Sequence, residues 1–301
     1  MDDKIKKQYD LCGITRYHEQ GYLGDGVVIL NHEDNTSHSY MTDSILKAVA
    51  PNAKIINAIG SSVTKGGKLI SFNFEIDGVK YTPEQMYEKF KPDVMSVSFC
   101  GHNKLREERL KPLIDKGLVV CCATGNYGTK KGDYGMYADI AISIGSAALN
   151  NDGSILLNAY SGRGEVGDVT FVGFNTTGDG TSAATPFFAG MVALLMSRIG
   201  KMNQNRVIEI FKHSVIDAGD KGMDSGFGYG IPVLPELEEI SLSKFKDVPD
   251  SRWDAEYINW ASDKGIVDGF EDGTFRPDEP LTRGQMCKML YEYDKQKGKE
   301  E

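Results

Sequence analysis

Gly180-Thr181-Ser182-Ala183-Ala184-Thr185-Pro186, followed at once by the apolar run Phe187 to Met196, constrains this chain more than any other stretch. It sets one serine at the mouth of a helix, between a small, tight turn and a proline. The first amides of a helix are unpaired and carry partial positive charge, so a serine there has an anion donor beside it. Pro186 reads as a first-turn residue, where a helix can spare an N–H. A serine-capped core helix needs few of these features. For a generic Gly-Thr-Ser the capped helix would be the plain reading; a nucleophile would need, besides this turn, a base next to the hydroxyl and fixed donors for its oxyanion.

The chain has 301 residues, 40% of them hydrophobic and 26% charged, enough for one large domain, or one large and one small, with a real core. A net charge of −9 argues against nucleic acid or an anionic membrane as partner. No apolar run approaches the roughly 18 residues of a membrane span. Met1-Asp2-Asp3-Lys4-Ile5-Lys6-Lys7 has no apolar core, so no signal peptide is visible and synthesis in the cytoplasm is expected. The five cysteines, Cys12, Cys100, Cys121, Cys122 and Cys287, are odd in number and lack metal spacing, which predicts reduced thiols.

From Gly26 to Leu234 short apolar runs alternate with helical patterns, the signature of an α/β fold with a mostly parallel, buried sheet. Strands are predicted at Val27–Leu30, Ala53–Ala58, Asp93–Phe99, Leu118–Ala123 and Ile142–Gly145. Helices are predicted at Met41–Val49, Leu105–Lys116 and Asn203–Ser214. The rhythm ends between Pro235 and Ser243.

Of the five histidines, His38 is the best candidate base. It stands in Asp34-Asn35-Thr36-Ser37-His38, ahead of a helix that leads to Val49-Ala50-Pro51-Asn52-Ala53. Cys122-Ala123-Thr124-Gly125-Asn126 closes a buried strand. Together with the serine block, these stretches resemble the subtilisin-like serine peptidases. That family has Asn-Ser-His-Gly-Thr-His before its helix, then Val-Ala-Pro-Asn-Ala, and Ala-Ala-Ala-Gly-Asn at the strand end; Ser39 and Met41 replace its usual glycine and second histidine. Gly21 to Val28, Ala159 to Gly164 and Gly226 to Gly230 match further family elements, over residues 10–236 in all.

The resemblance implies a subtilisin-like three-layer fold and a serine endopeptidase. Ser182 would attack the scissile carbonyl, His38 would take its proton, and the Asn126 amide and the Ser182 N–H would hold the oxyanion. Ser98, Phe99, Cys100 and Gly125 would pair with substrate backbone and wall a pocket for an apolar or modest side chain. No cofactor is required; structural calcium is a family feature, although no ligand set can be read.

The family ends its first strand Val-Ala-Val-Ile-Asp, and that aspartate orients the histidine. Here the strand reads Val27-Val28-Ile29-Leu30-Asn31, with asparagine in the aspartate's place. Such a replacement in a serine-protease triad costs about 10⁴ in kcat. Glu33 shares a face with Asn31 if the strand continues, and Asp34 is nearer His38 in sequence. Support of His38 by Asn31, by Glu33 or by Asp34 all remain open, as does a catalytically impaired scaffold or anchoring protein.

Residues 244–294, after a linker at 237–243, form a separate unit. Phe245-Lys246-Asp247-Val248, Trp253, Gly265-Ile266-Val267-Asp268-Gly269, Asp272 to Pro277 and Leu281-Thr282-Arg283-Gly284-Gln285 predict a helix, a glycine-rich loop and a second helix capped by Thr282. Trp253, Ile258, Ile266, Phe275 and Leu290 are the expected core, and residues 295–301 a solvated tail. The segment resembles one S-layer homology (SLH) repeat. That implies a small, mainly helical module binding an anionic cell-wall polysaccharide, with Arg283 pairing an acidic sugar group and Trp253 stacking. Because such repeats usually come in threes and only one is present here, self-association into a homo-oligomer is a second expectation. Wall binding implies export, and the lack of a visible leader opposes it. Release by lysis, as for a phage-associated protein, or a cytoplasmic processing role would reconcile the two.

Overall fold

Alternating apolar runs and helical patterns fold here into a sheet with helices on both faces. A computed structural model describes residues 2–33, 36–65, 68–101, 103–129, 135–137, 139–163, 169–175, 180–236, 243–249 and 252–297. The chain divides into Met1–Pro235 and Glu236–Glu301. The first unit contains, in order, α1 (Asp3–Leu11), α2 (Ile14–Glu19), β1 (Val28–Glu33), α3 (Thr36–Val49), β2 (Lys54–Lys65), β3 (Lys68–Ile76), β4 (Val79–Tyr81), α4 (Pro83–Phe90), β5 (Val94–Val97) and α5 (Lys104–Asp115). It continues with β6 (Val119–Ala123), β7 (Ile142–Leu149), β8 (Ile155–Leu157), β9 (Phe171–Phe174), α6 (Thr181–Ile199), α7 (Gln204–Lys212), β10 (Val215–Ile216) and β11 (Ile231–Pro232). The second holds α8 (Ala255–Asp263) and α9 (Arg283–Lys297).

The main sheet runs β4-β3-β2-β1-β5-β6-β7-β8, with β9 also on β7. Its centre is parallel: β1 pairs in register with β2 and β5, β5 with β6, and β6 with β7. The antiparallel strands β3, β4 and β8 lie toward its edges. Leu30, Met95, Val97 and Val120 join Met86 of α4 and Leu110 and Leu113 of α5 in one core cluster. Strand side chains alternate, so Asn31 and Glu33 face the other way, toward α3, which packs with α6. Gly190 lets these two helices cross closely: a Cβ there would stand 2.7 Å from Val49 Cβ.

Three readings are corrected. α6 is long and apolar enough, by length and composition, to cross a membrane, yet 78% of its apolar window is buried inside the protein, so it is the core helix of the first unit. Pro186 lies inside α6, past its first turn, and the Ser182 carbonyl therefore lacks its usual helical N–H donor. The first unit also begins before residue 10: the buried Tyr9 of α1 sits 6.0 Å from the Phe187 ring.

In the second unit the core is Phe245, Val248, Ala255 and Ile258, with Phe275 packed on it. Trp253 is 82% exposed and Leu290 58%, so neither belongs to the core expected for them. The Phe245 and Phe275 rings, 5.0 Å apart, supply the aromatic part of that core. Thr282 and Gln285 form the expected reciprocal cap of α9, with N–H donations of 3.2 and 2.9 Å. α9 runs to Lys297, so residues 295–297 are helical rather than a loose tail.

Candidate active site

The carboxyl ends of β1, β5 and β6 and the first turn of α6 carry the candidate residues, as ligand sites in open α/β sheets do. β1 continues to its sixth residue, Glu33, which is fully buried, and His38 lies in the first turns of α3. His38 Nδ1 and Glu33 Oε2 are 2.7 Å apart, with the histidine side chain 27% exposed. A buried carboxylate at one ring nitrogen selects the tautomer and stabilises the ring when it gains a proton.

Asn31 is equally buried, but its Nδ2 donates to Asn57 Oδ1 at 2.8 Å and Thr42 Oγ1 at 3.0 Å. The structure thus brings Glu33, and not Asn31, to His38. Asp34 lies outside the described residues.

Ser182 occupies the first turn of α6, where backbone N–H groups have no intrahelical acceptor. Its hydroxyl donates to the Ser98 carbonyl at 2.8 Å, at the end of β5. Gly180 precedes it at φ 84°, a conformation that favours glycine; a Cβ there would come within 2.7 Å of Asn126 Nδ2. Asn126 Oδ1 accepts from the Thr181 N–H at 2.9 Å and from the Thr181 hydroxyl at 3.1 Å. A backbone N–H can only donate, so the amide orientation is set and Nδ2 is the end turned away from Thr181.

Thr181 is the residue that sequence reasoning quoted without giving it a role. Its hydroxyl oxygen also accepts from the Gly125 N–H at 3.2 Å, tying the β6 end to the serine turn. The signal was its place between Gly180 and Ser182. Tyr160 adds a second tie, its hydroxyl accepting from the Gly180 N–H at 3.1 Å. The Gly162 N–H donates to the Gly125 carbonyl at 2.9 Å, while Gly164 of the same matched element lies outside the described residues.

Ser98 is buried, and Phe99 and Cys100 are half-buried beyond it. Phe99 meets the ring of His32 edge-on, with centroids 4.9 Å apart. His32 points to the opposite face of β1 from Glu33, among Phe72, Phe74 and Tyr137. Burial drives its pKa down to about 3, so it is a neutral core histidine. Burial also raises the Cys122 thiol to about 12, and none of the five cysteines forms a disulfide. Among the described residues no three His, Cys, Asp or Glu side chains group to hold a metal. Trp253 and Arg283 are both exposed, and both lie in the second unit.

The fold and this edge define an α/β protein with a serine, a histidine–carboxylate pair and a backbone-anchored asparagine at the carboxyl ends of a parallel sheet. The model of the subtilase family matches residues 26–230, and the chain belongs to that family; the S-layer homology domain matches residues 244–287. "Minor extracellular protease Epr" of Bacillus subtilis (strain 168) is 26% identical over 148 residues, 46% of this chain and 22% of that protein. "Outer membrane protein SlpA" of Thermus thermophilus is 44% identical over 52 residues, 17% of this chain and 6% of its own length. The chain therefore spans under a quarter of either relative. Among solved structures, a lanthipeptide protease aligns with TM-score 0.56 at 15% identity, over 77% of this chain and 94% of its own, a likeness of fold. The chain is thus a member of the subtilase family that also carries an SLH domain.

Proposed function

We propose that this chain is a serine endopeptidase working through Ser182, His38 and Glu33. The observation that carries the reading is the 2.7 Å contact between His38 Nδ1 and the buried Glu33 carboxylate. It supports a working base despite asparagine in the family's aspartate position. In the reaction, the Ser182 hydroxyl turns from the Ser98 carbonyl and Oγ bonds to the scissile carbon, while its proton passes to His38 Nε2. The oxyanion is met by the Ser182 N–H and by Asn126 Nδ2, the amide end that Thr181 leaves outward. His38 then protonates the leaving amine as the C–N bond breaks. Water, giving its proton to the same histidine, hydrolyses the acyl-enzyme. Ser98, Phe99, Cys100 and Gly125 would line the substrate path, and the chemistry needs no cofactor.

In the same reading, the second unit holds the chain to an anionic cell-wall polysaccharide. Trp253, 82% exposed, offers a stacking surface for a sugar, and Arg283 a partner for an acidic group. The place of action is then the wall, whether the chain is exported or released by lysis. A homo-oligomer through this unit is part of the same proposal.

One observation favours the scaffold alternative: the Ser182 hydroxyl is engaged by Ser98 rather than by the base. A fluorophosphonate probe separates the two readings. The peptidase reading expects stoichiometric labelling that disappears in Ser182→Ala. No labelling of the wild type, or equal labelling of the variant, would defeat it.

A further inference from the structure

The described neighbours of the Asn31 amide nitrogen all present acceptors. Asn57 Oδ1 stands at 2.8 Å, Thr42 Oγ1 at 3.0 Å, and the Ser39 carbonyl and hydroxyl oxygens at 3.4 Å. The direction of these bonds is fixed from outside the pair. The Asp43 carboxylate, which when ionised can only accept, takes Asn57 Nδ2 at 3.2 Å, so Asn57 turns its oxygen to Asn31. Asp43 is itself paired with Lys47 at 2.5 Å. The Thr42 hydroxyl donates to the Ser39 carbonyl at 3.1 Å, leaving its lone pairs for Asn31. The place thus calls for a donor. Asparagine supplies one, and a carboxylate does not.

We infer that Asn31 is a positioning residue, which as a hydrogen-bond donor ties the first turns of α3 to β1 and β2 so that His38 stands against Glu33. The inference rests on the serine-peptidase reading above. Ser39, Thr42 and Asp43 all lie on α3, directly after His38, while Asn57 lies on β2 in register with Asn31. An aspartate at position 31, although the residue the family resemblance expects, would set carboxylate oxygen against the Asn57 oxygen. Turning the Asn57 amide over moves the conflict to Asp43 without removing it. Combining Asn31→Asp with Asp43→Asn removes it, because the bond order then reverses. The new amide at position 43 donates to Asn57, and the Asn57 amide nitrogen donates to the new carboxylate at position 31.

The test measures kcat and KM on a peptide substrate for wild type, Asn31→Asp, Asp43→Asn and the double variant, with sites counted by fluorophosphonate titration. Asn31→Asp is expected to lose about 10²-fold in kcat per titrated site with KM little changed, the scale of a 1 Å misplacement of a catalytic group. The double variant is expected to recover about tenfold of that loss, as coupled neighbours do. A merely structural role would reduce the number of titratable sites and leave kcat per site alone, which overturns the inference. So does Asn31→Asp at or above wild-type kcat, or a double variant no better than the single. If Asn31→Asp does not fold, kcat per titrated site is read on Asn31→Ala, which removes the donor without adding a carboxylate: a loss of about tenfold or more supports the inference, and wild-type kcat per site overturns it. A wild type that neither labels nor cleaves would defeat the peptidase reading, and the inference with it.

Discussion

The first unit and the second treat their large side chains in opposite ways. In the first, Tyr17, Tyr137, Phe74, Phe171, Phe174, Phe187 and Phe188 are wholly buried. In the second, Trp253, Tyr257, Trp260, Leu290 and Tyr291 are each more than half exposed, and the cluster beneath them is five side chains. Ionic and backbone ties bind that small unit instead. Arg252 pairs Asp254 at 2.8 Å and Asp278 at 3.0 Å, and Asp247 accepts from the N–H groups of Phe275 and Arg276 at 2.8 and 2.7 Å. The difference is one of what each unit has to hold still. A dense core, whose side chains interdigitate, can hold buried polar groups such as Asn31 and Glu33 in one geometry. A small core leaves its rings outside, where they can meet a ligand but do little for stability.

Two measurements bear on this contrast. In the first unit, His32 contributes a stability term that depends on pH, because its pKa of about 3 lies below the ordinary 6.5. The unfolded chain binds the proton first as pH falls, so the contribution is complete above pH 6.5 and is lost progressively toward pH 3. Between those limits the slope approaches about 1.4 kcal/mol per pH unit. Urea midpoints of the wild type and His32→Phe from about pH 6.5 to about pH 4 should show a shallower acid limb in the variant; parallel limbs would mean that the ring is hydrated. In the second unit, Trp253→Ala should change unfolding free energy by no more than about 0.5 kcal/mol, as for other exposed positions. A loss several times larger would show the ring to be part of the core after all.

How much of this was legible depended on whether a local pattern or a long-range contact decided the outcome. The turns that carry Ser182, Asn126 and His38 were readable because each lies in a run whose residue order sets a helix start or a strand end. The partner of His38 was not, because the choice among Asn31, Glu33 and Asp34 turns on how far β1 runs. That length is set by pairing, with Glu33 opposite Ile59 of β2. The β3–β4 hairpin went unread although its signal was present. Phe72, Phe74 and Ile76 alternate with Ser71, Asn73 and Glu75, and Asp77-Gly78 follows with both φ values positive, at 50° and 75°. Trp253 misled for a different reason. A tryptophan in a small unit is ordinarily core, but here two phenylalanines distant in sequence occupy the centre, and no single-residue preference reveals that.

The central claim is that the carboxylate serving His38 has moved along β1 from the position of Asn31 to that of Glu33. The pH dependence of kcat for Glu33→Gln against wild type tests it most directly. The account predicts a loss of about 10⁴ in kcat, the cost of replacing the triad carboxylate by an amide, with the variant still folded and its Ser182 still present. Glu33→Gln at near wild-type kcat, with an unchanged pH profile, would contradict it.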